Sequence, residues 1–153
     1  PPASVTPEQP AAPSFTPGVG VNLSLNTGVL TPEQLNMMLT SLPFDITYVD
    51  ENDEVRYFTQ GKERIFERQP AIIGRKVQMC HPPQSMDKVQ RILDDFRAGT
   101  RDVSEFWIQM MGKFIHIRYF ALRDSAGEYR GTIEVTQDVS PIRALQGEKR
   151  LDD

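Results

Sequence analysis

The sequence predicts an α+β fold: a five-stranded antiparallel sheet with helices packed on one face, and a further helix flanking it at each end. Three observations predict it. Two alternating, strand-like runs bracket an acidic turn near residue 50, a capped amphipathic helix occupies residues 85–98, and three more strand-like runs follow, separated by turn sequences. Strands joined by short turns pair antiparallel, and a sheet with an apolar face requires a helical layer to cover it.

Composition sets the frame. With 153 residues, 39% of them hydrophobic and 25% charged, the chain has the makings of one core of moderate size plus some less ordered sequence. A formal net charge of -4 supplies no positive field for phosphates, so nucleic acid is not expected as a partner. The single cysteine excludes an internal disulfide, a multi-thiolate zinc site and a cysteine-ligated iron–sulfur cluster, and it fits a cytoplasmic setting. No run approaches 18 apolar residues and no secretory leader is present, so membrane insertion is not expected. The start without Met and the ending Leu151-Asp152-Asp153 suggest a segment of a longer protein, tethered to an upstream domain.

The elements follow in order. Residues 1–18 hold six of the twelve prolines among Ala, Ser and Thr, the composition of an extended linker. Residues 19–43 read as an N-terminal arm and a capping helix. In the arm, Val19, Val21, Leu23 and Leu25 alternate with smaller or polar residues. In the helix, Thr31-Pro32-Glu33-Gln34 is a capping box with Pro at the first helical position. Leu35, Met38, Leu39 and Leu42 share one helical face that should bury itself, across a dimer contact or as a cap on the sheet, and Pro43 ends the helix.

Residues 44–138 form the core. "FDITYVD" and "EVRYFT" make a hairpin around Asp50-Glu51-Asn52-Asp53-Glu54, and short helical turns are expected in "GKERIFERQ". In the helix over 85–98, Ser85 is the expected N-cap, Met86, Val89, Ile92, Leu93 and Phe96 line one face, and Gly99 lies just past the end. "DVSEFWIQMM", "KFIHIRYFALR" and "EYRGTIEVTQ" are the last three strands, divided by Gly112-Lys113 and Asp124-Ser125-Ala126-Gly127. Asp138 then caps a helix expected over 139–153, an exposed or coiled signalling segment with Ile142 and Leu145 on its apolar side.

This order, and several of the runs, resemble a PAS domain. "FDITYVDENDEVRYFTQGKERIF" resembles the opening PAS hairpin, "AIIGRKVQMCHPP" the segment leading into the long helix, and "RDSAGEYRGTIEVTQDVS" the last hairpin, with Asp138-Val139-Ser140 where PAS domains carry "DIT" before a signalling helix. Residues 27–151 are similar to one PAS subfamily, found at the end of bacterial and archaeal proteins that carry a domain of unknown function and a hemerythrin-like domain. "TGVLTPEQLNMMLTSLPFDITYVDENDEVRYF", "GRKVQMCHPPQS", "EFWIQMMGKFIHIRYFALRD" and "GEKRL" carry that likeness. The resemblance implies a sensory or interaction module, commonly dimeric, without catalysis of its own, in which Asp138 and Ser140 relay the signal. Two departures stand out. Thr59-Gln60-Gly61 replaces the Asn common at the end of the second PAS strand, and the flavin-binding LOV branch has its cysteine in "NCRFLQ" where this chain reads "GRKVQMCHPP", so no flavin photoadduct is implied at Cys80.

Two readings stand beside each other at the candidate sites. Cys80 and His81 are ligand-pocket candidates and weak metal or haem ligands; as neighbours in an extended run they should point opposite ways, one into the pocket and one away, and the bland alternative is a core thiol and a locally bonded imidazole. His116 is the third candidate ligand. It shares a strand face with Arg118, a carboxylate receptor if that face lines the pocket, while Ile115, Ile117 and Tyr119, the last a further pocket candidate, share the other; a satisfied structural histidine is the alternative. Phe106, with Trp107, Met110 and Met111, is either a cofactor wall or ordinary core. Asp50 and Asn52 suggest calcium, but Val55 and Gly61 stand where an EF-hand loop needs Gly and Glu, so a solvated turn is preferred. No catalytic triad, phosphate loop or Rossmann fingerprint appears, so enzymatic activity is not expected. A small ligand, or none, would sit between the sheet and the 85–98 helix; the alternatives are a haem or metal redox sensor using His81, Cys80 or His116, and a module that only dimerises, and the expected assembly is a homodimer.

Overall fold

The computed structural model describes residues 20–61 and 64–152. The linker expected over 1–18 lies outside the described residues. Five strands form one antiparallel sheet: β3 (Asp45–Asp50), β4 (Val55–Phe58), β5 (Val103–Met110), β6 (Lys113–Arg123) and β7 (Tyr129–Asp138), in the order β4-β3-β7-β6-β5. β5 and β6 are joined by a tight turn in which Met111 and Gly112 both take positive φ (49° and 74°), the geometry that matches strand twist.

α2 (Pro83–Ala98) packs on one face of this sheet. Its Leu93 and Phe96 are buried together with Val49, Val55, Phe58, Ile115 and Ile117. The helix begins two residues before the expected Ser85 cap. Pro82 is the N-cap and Pro83 the first helical residue, whose missing N–H costs nothing there, and the Ser85 N–H donates to the Pro82 carbonyl at 3.0 Å. Gly99 ends it at φ 75° as expected.

The expected arm is instead a small hairpin, β1 (Leu23–Leu25) with β2 (Gly28–Leu30), because Asn26-Thr27 turns the chain and Val29-Leu30 supplies a second strand. α1 (Pro32–Ser41) opens on the full capping box: the Gln34 N–H donates to Thr31 Oγ1 at 3.1 Å and the Thr31 N–H to Gln34 Oε1 at 2.9 Å. Its apolar face is not buried as the pattern demands. Leu35 and Leu39 are half-buried, and Met38 and Leu42 are exposed.

Two further expectations are corrected. Among the described residues of "GKERIFERQ" there is no helical turn; the Ile65 N–H donates to Asp45 Oδ2 at 2.6 Å, so a side chain takes the bond a helix would have used. The turns come later, at Pro70–Ile72 and Val77–Cys80. The C-terminal helix is a single turn, α3 (Ser140–Arg143), and Asp138 is not its N-cap. Ile142 and Leu145 remain exposed, leaving no packing to carry a longer helix.

Gly131 marks a close crossing inside the sheet. At φ 140°, a Cβ placed there would lie 2.3 Å from the Val49 carbonyl oxygen and 2.8 Å from Tyr48 Cε2.

Candidate functional site

Between the sheet and α2 lies a cavity of about 30 Å³, room for roughly two waters. Val49 and Val55 from the sheet, Val77 from the 3₁₀ turn, and Val89, Ile92 and Leu93 from α2 form its apolar lining. Its polar residues are Thr47, Arg68, Cys80, His81, Tyr119, Thr132 and Glu134.

Cys80 and His81 both line it, correcting the expectation of opposite directions. Cys80 closes the 3₁₀ turn Val77–Cys80, where successive side chains are about a third of a turn apart rather than half a turn. Burial pushes the Cys80 thiol up, with Arg68 and Arg75 opposing, so the sulfur is a thiol rather than the thiolate that attacks or binds metal. Burial also holds His81 below its ordinary value, so the imidazole is neutral at pH 7.

Glu134 organises the polar side. Its Oε1 accepts from Thr136 Oγ1 at 3.1 Å and meets Arg68 Nη2 at 3.5 Å. The Nε of Arg68 is buried without a partner among the described residues. Burial, reinforced by the Glu134 charge, pushes the Tyr119 phenol far above its usual range, so it stays a neutral donor. Beside this set, Arg64 donates to the Thr59 carbonyl at 2.5 Å and to Thr47 Oγ1 at 3.3 Å, and lies 3.9 Å from Asp45. Burial raises the Asp45 pKa against the pull of the Ile65 N–H and Arg64.

The other pocket candidates lie elsewhere. Phe106 stacks on the Tyr119 ring at 5.7 Å, but β5 is the edge strand and Phe106 stays 38% exposed outside the cavity. His116 and Arg118 sit on the opposite sheet face, since Ile115, Ile117 and Tyr119 take the α2 face. There His116 Nε2 bonds Glu105 Oε2 at 2.7 Å. His116 cannot converge with Cys80 and His81 on one ion, because the sheet lies between them. Among the described residues no three His, Cys, Asp or Glu side chains cluster as metal ligands. In the acidic turn, Asp50 Oδ1 accepts from the Asn52 and Glu54 N–H groups at 2.9 and 3.1 Å, while Asp53 is buried and bonded to Arg97 and Gln78.

At the far end of β6 and β7 the two strands meet in a hydrogen-bonded junction with the chain that follows. Asp138 Oδ1 accepts from Ser140 Oγ at 2.6 Å and from the Ser140 N–H at 3.0 Å, and these bonds hold its carboxyl below the usual range. Ser140 Oγ in turn accepts from the Phe114 N–H at 2.8 Å, and the Val139 N–H donates to the Phe114 carbonyl at 2.9 Å. Arg143 covers the Phe114 ring at 3.9 Å.

Arg68, Glu134, Thr47 and Thr132 were not legible as site residues. The one clue lay in β7, where Glu134 interrupts Ile133 and Val135 and the polar positions Thr132, Glu134 and Thr136 share a face.

Fold and cavity together define an antiparallel-sheet domain with one helix closing a small chamber over its centre. The sequence profile of the PAS domain family matches residues 35–140, and the chain belongs to that family. The C-terminal domain of a Streptococcus mutans protein is similar at 36% identity and a TM-score of 0.77, over 82% of this chain and 98% of that one. A PAS domain from Colwellia psychrerythraea shares the fold at 13% identity and a TM-score of 0.52, over 71% of this chain and 97% of that one. A sensory box sensor histidine kinase structure from Vibrio cholerae does so at 14% and 0.50, over 69% and 88%. No curated protein matches the chain. No helix among the described residues is long and apolar enough to cross a membrane.

Proposed function

We propose that this PAS domain is a non-catalytic sensory module. A small ligand enters the chamber under α2, and the response leaves through the Asp138–Ser140 junction. One observation carries the reading: the two strands that present Tyr119, Thr132 and Glu134 to the chamber are the strands whose other ends meet at Phe114 and Asp138. Glu134 and Asp138 are four residues apart on β7, roughly 13 Å along a strand. A ligand that favours one arrangement of Glu134 and Arg68 therefore biases β7 and, through it, the junction. The Cys80 sulfur is a thiol whose contact is the Lys76 carbonyl rather than a base, which favours binding over reaction. The resemblance to PAS domains that accompany a hemerythrin-like domain supports an attached domain as the other end of the signal.

The test is nitrogen–proton NMR on the domain with Glu134→Gln. Altered Phe114 and Ser140 amide resonances are expected alongside those lining the chamber. Changes confined to the immediate neighbours of residue 134 would refute the coupling. Native mass spectrometry of the domain as purified from cells reports whether a small molecule travels with it.

A further inference from the structure

β5 is an edge strand eight residues long, and among the described residues no backbone hydrogen bond engages its outer side. The Ala121 N–H donates to the Asp102 carbonyl at 2.9 Å, so ladder alternation turns the backbone groups of Val103, Glu105, Trp107 and Gln109 outward. Such edges are normally blunted by a lysine, a proline, a bulge or an inward charge. "VSEFWIQM" has no proline and no basic residue, and its pairing with β6 runs without a register shift. Its single charge, Glu105, is drawn onto His116 at 2.7 Å. Large apolar side chains flank the edge: Val103, Phe106, Trp107 and Ile108 are 46, 38, 59 and 37% exposed.

We infer that this edge pairs with β5 of a second copy, antiparallel about a two-fold axis at Phe106 and normal to the sheet. The strand is complementary to itself in that register. Val103 faces Gln109 of the other copy, Glu105 faces Trp107, and the two Phe106 side chains meet, so all four outward residues are bonded. The register two residues toward the N-terminus sets Glu105 against Glu105 and is disfavoured by like charge. The register two residues the other way leaves Val103 unpaired. The result is one ten-stranded sheet with both α2 helices on the same side. The inference is independent of any ligand in the chamber.

Sedimentation velocity on the chain at micromolar concentration is expected to show a dimer. Gln109→Pro deletes only an outward N–H, which an edge strand tolerates, and should weaken the dimer at least roughly tenfold while leaving the thermal unfolding of the monomer in place. Trp107→Glu should do the same through charge. In a Cys80→Ala background, Phe106→Cys should form an intermolecular disulfide under mild oxidation, because non-hydrogen-bonded antiparallel pairs approach within disulfide reach. Ser104→Cys, placed opposite Ile108, should not. A monomer, including one whose edge another part of the same chain covers, overturns the inference. So does a dimer indifferent to Gln109→Pro and Trp107→Glu, or crosslinking by Ser104→Cys but not Phe106→Cys.

Discussion

Thr59 stands where many PAS domains place asparagine, and the structure shows how it serves. It is 1% exposed, and its Oγ1 accepts the Ile46 N–H at 2.9 Å, while its own N–H donates to the Ile46 carbonyl at 2.9 Å. The hydroxyl thus completes the β3–β4 ladder where Ile46 is itself buried. Thr59→Val keeps shape and volume but strands that N–H away from water. An unsatisfied buried donor costs about 1–3 kcal/mol, and the gain from one buried methyl in place of the hydroxyl offsets little of it, so a loss of about 2 kcal/mol is expected. With a urea slope on the order of 1.5 kcal/mol/M, the unfolding midpoint should fall by roughly 1.3 M. Thr59→Ser, which keeps the hydroxyl and gives up a methyl, should lose about 1 kcal/mol. If the valine variant unfolds within about 0.5 kcal/mol of the parent while the serine variant loses more, the methyl matters and the hydrogen bond does not, and the reasoning fails.

Three further outcomes are expected. Burial holds His81 below its ordinary 6.5, so as the pH falls through that value the unfolded chain takes up a proton the folded chain refuses. Stability contributed by the neutral ring is then complete above the unfolded pKa and declines as pH drops from 7 toward 5. In urea titrations across that window His81→Gln should show a shallower decline than the parent, and parallel curves would contradict the assignment. Gly131→Ala forces a Cβ to within 2.3 Å of backbone and should lower stability by more than about 3 kcal/mol; thermal melts within a few degrees of the parent would show that the crossing relaxes easily. Ser140→Ala removes the acceptor of the Phe114 N–H, so hydrogen exchange at that amide should quicken at least tenfold, roughly what losing 1.4 kcal/mol of local protection gives. Unchanged protection would place the junction's strength elsewhere.

The sheet, α2 and the N-terminal cap were legible because each rests on local rules: two-residue alternation in "FDITYVD", the Thr31–Gln34 box, Gly99 after an amphipathic run. The chamber was only partly legible. Alternation groups Ile115, Ile117 and Tyr119 apart from His116 and Arg118, but no local rule says which set faces α2. Tyr119, His116 and Arg118 were therefore all pocket candidates, and only the position of the helix separates Tyr119 from the other two. β7 hides its contribution further, since it turns Thr132, Glu134 and Thr136 toward the helix, against the usual rule that apolar residues face the core. Arg68 reaches Glu134 from a stretch without regular structure, and nothing in its neighbours foretells that contact. The C-terminal helix failed for the opposite reason: its pattern was present, but no surface exists among the described residues for Leu145 to bury against.

The two borders of the sheet are not equivalent. Along β4, the backbone of residues 74–77 is already zipped on: the Gly74 N–H donates to the Val55 carbonyl, the Val55 N–H to the Arg75 carbonyl, and the Val77 N–H to the Asp53 carbonyl, at 2.7, 2.9 and 2.7 Å. The same strip that carries Val77 and Cys80 into the chamber wall is therefore a stopper. In the language of polymer chemistry the domain is monofunctional: with one border terminated, chain growth by strand addition can go no further than a single coupling event. An assembly built through the β5 border ends at two copies, and the runaway stacking that two open borders would invite is closed off by the segment that also walls the chamber.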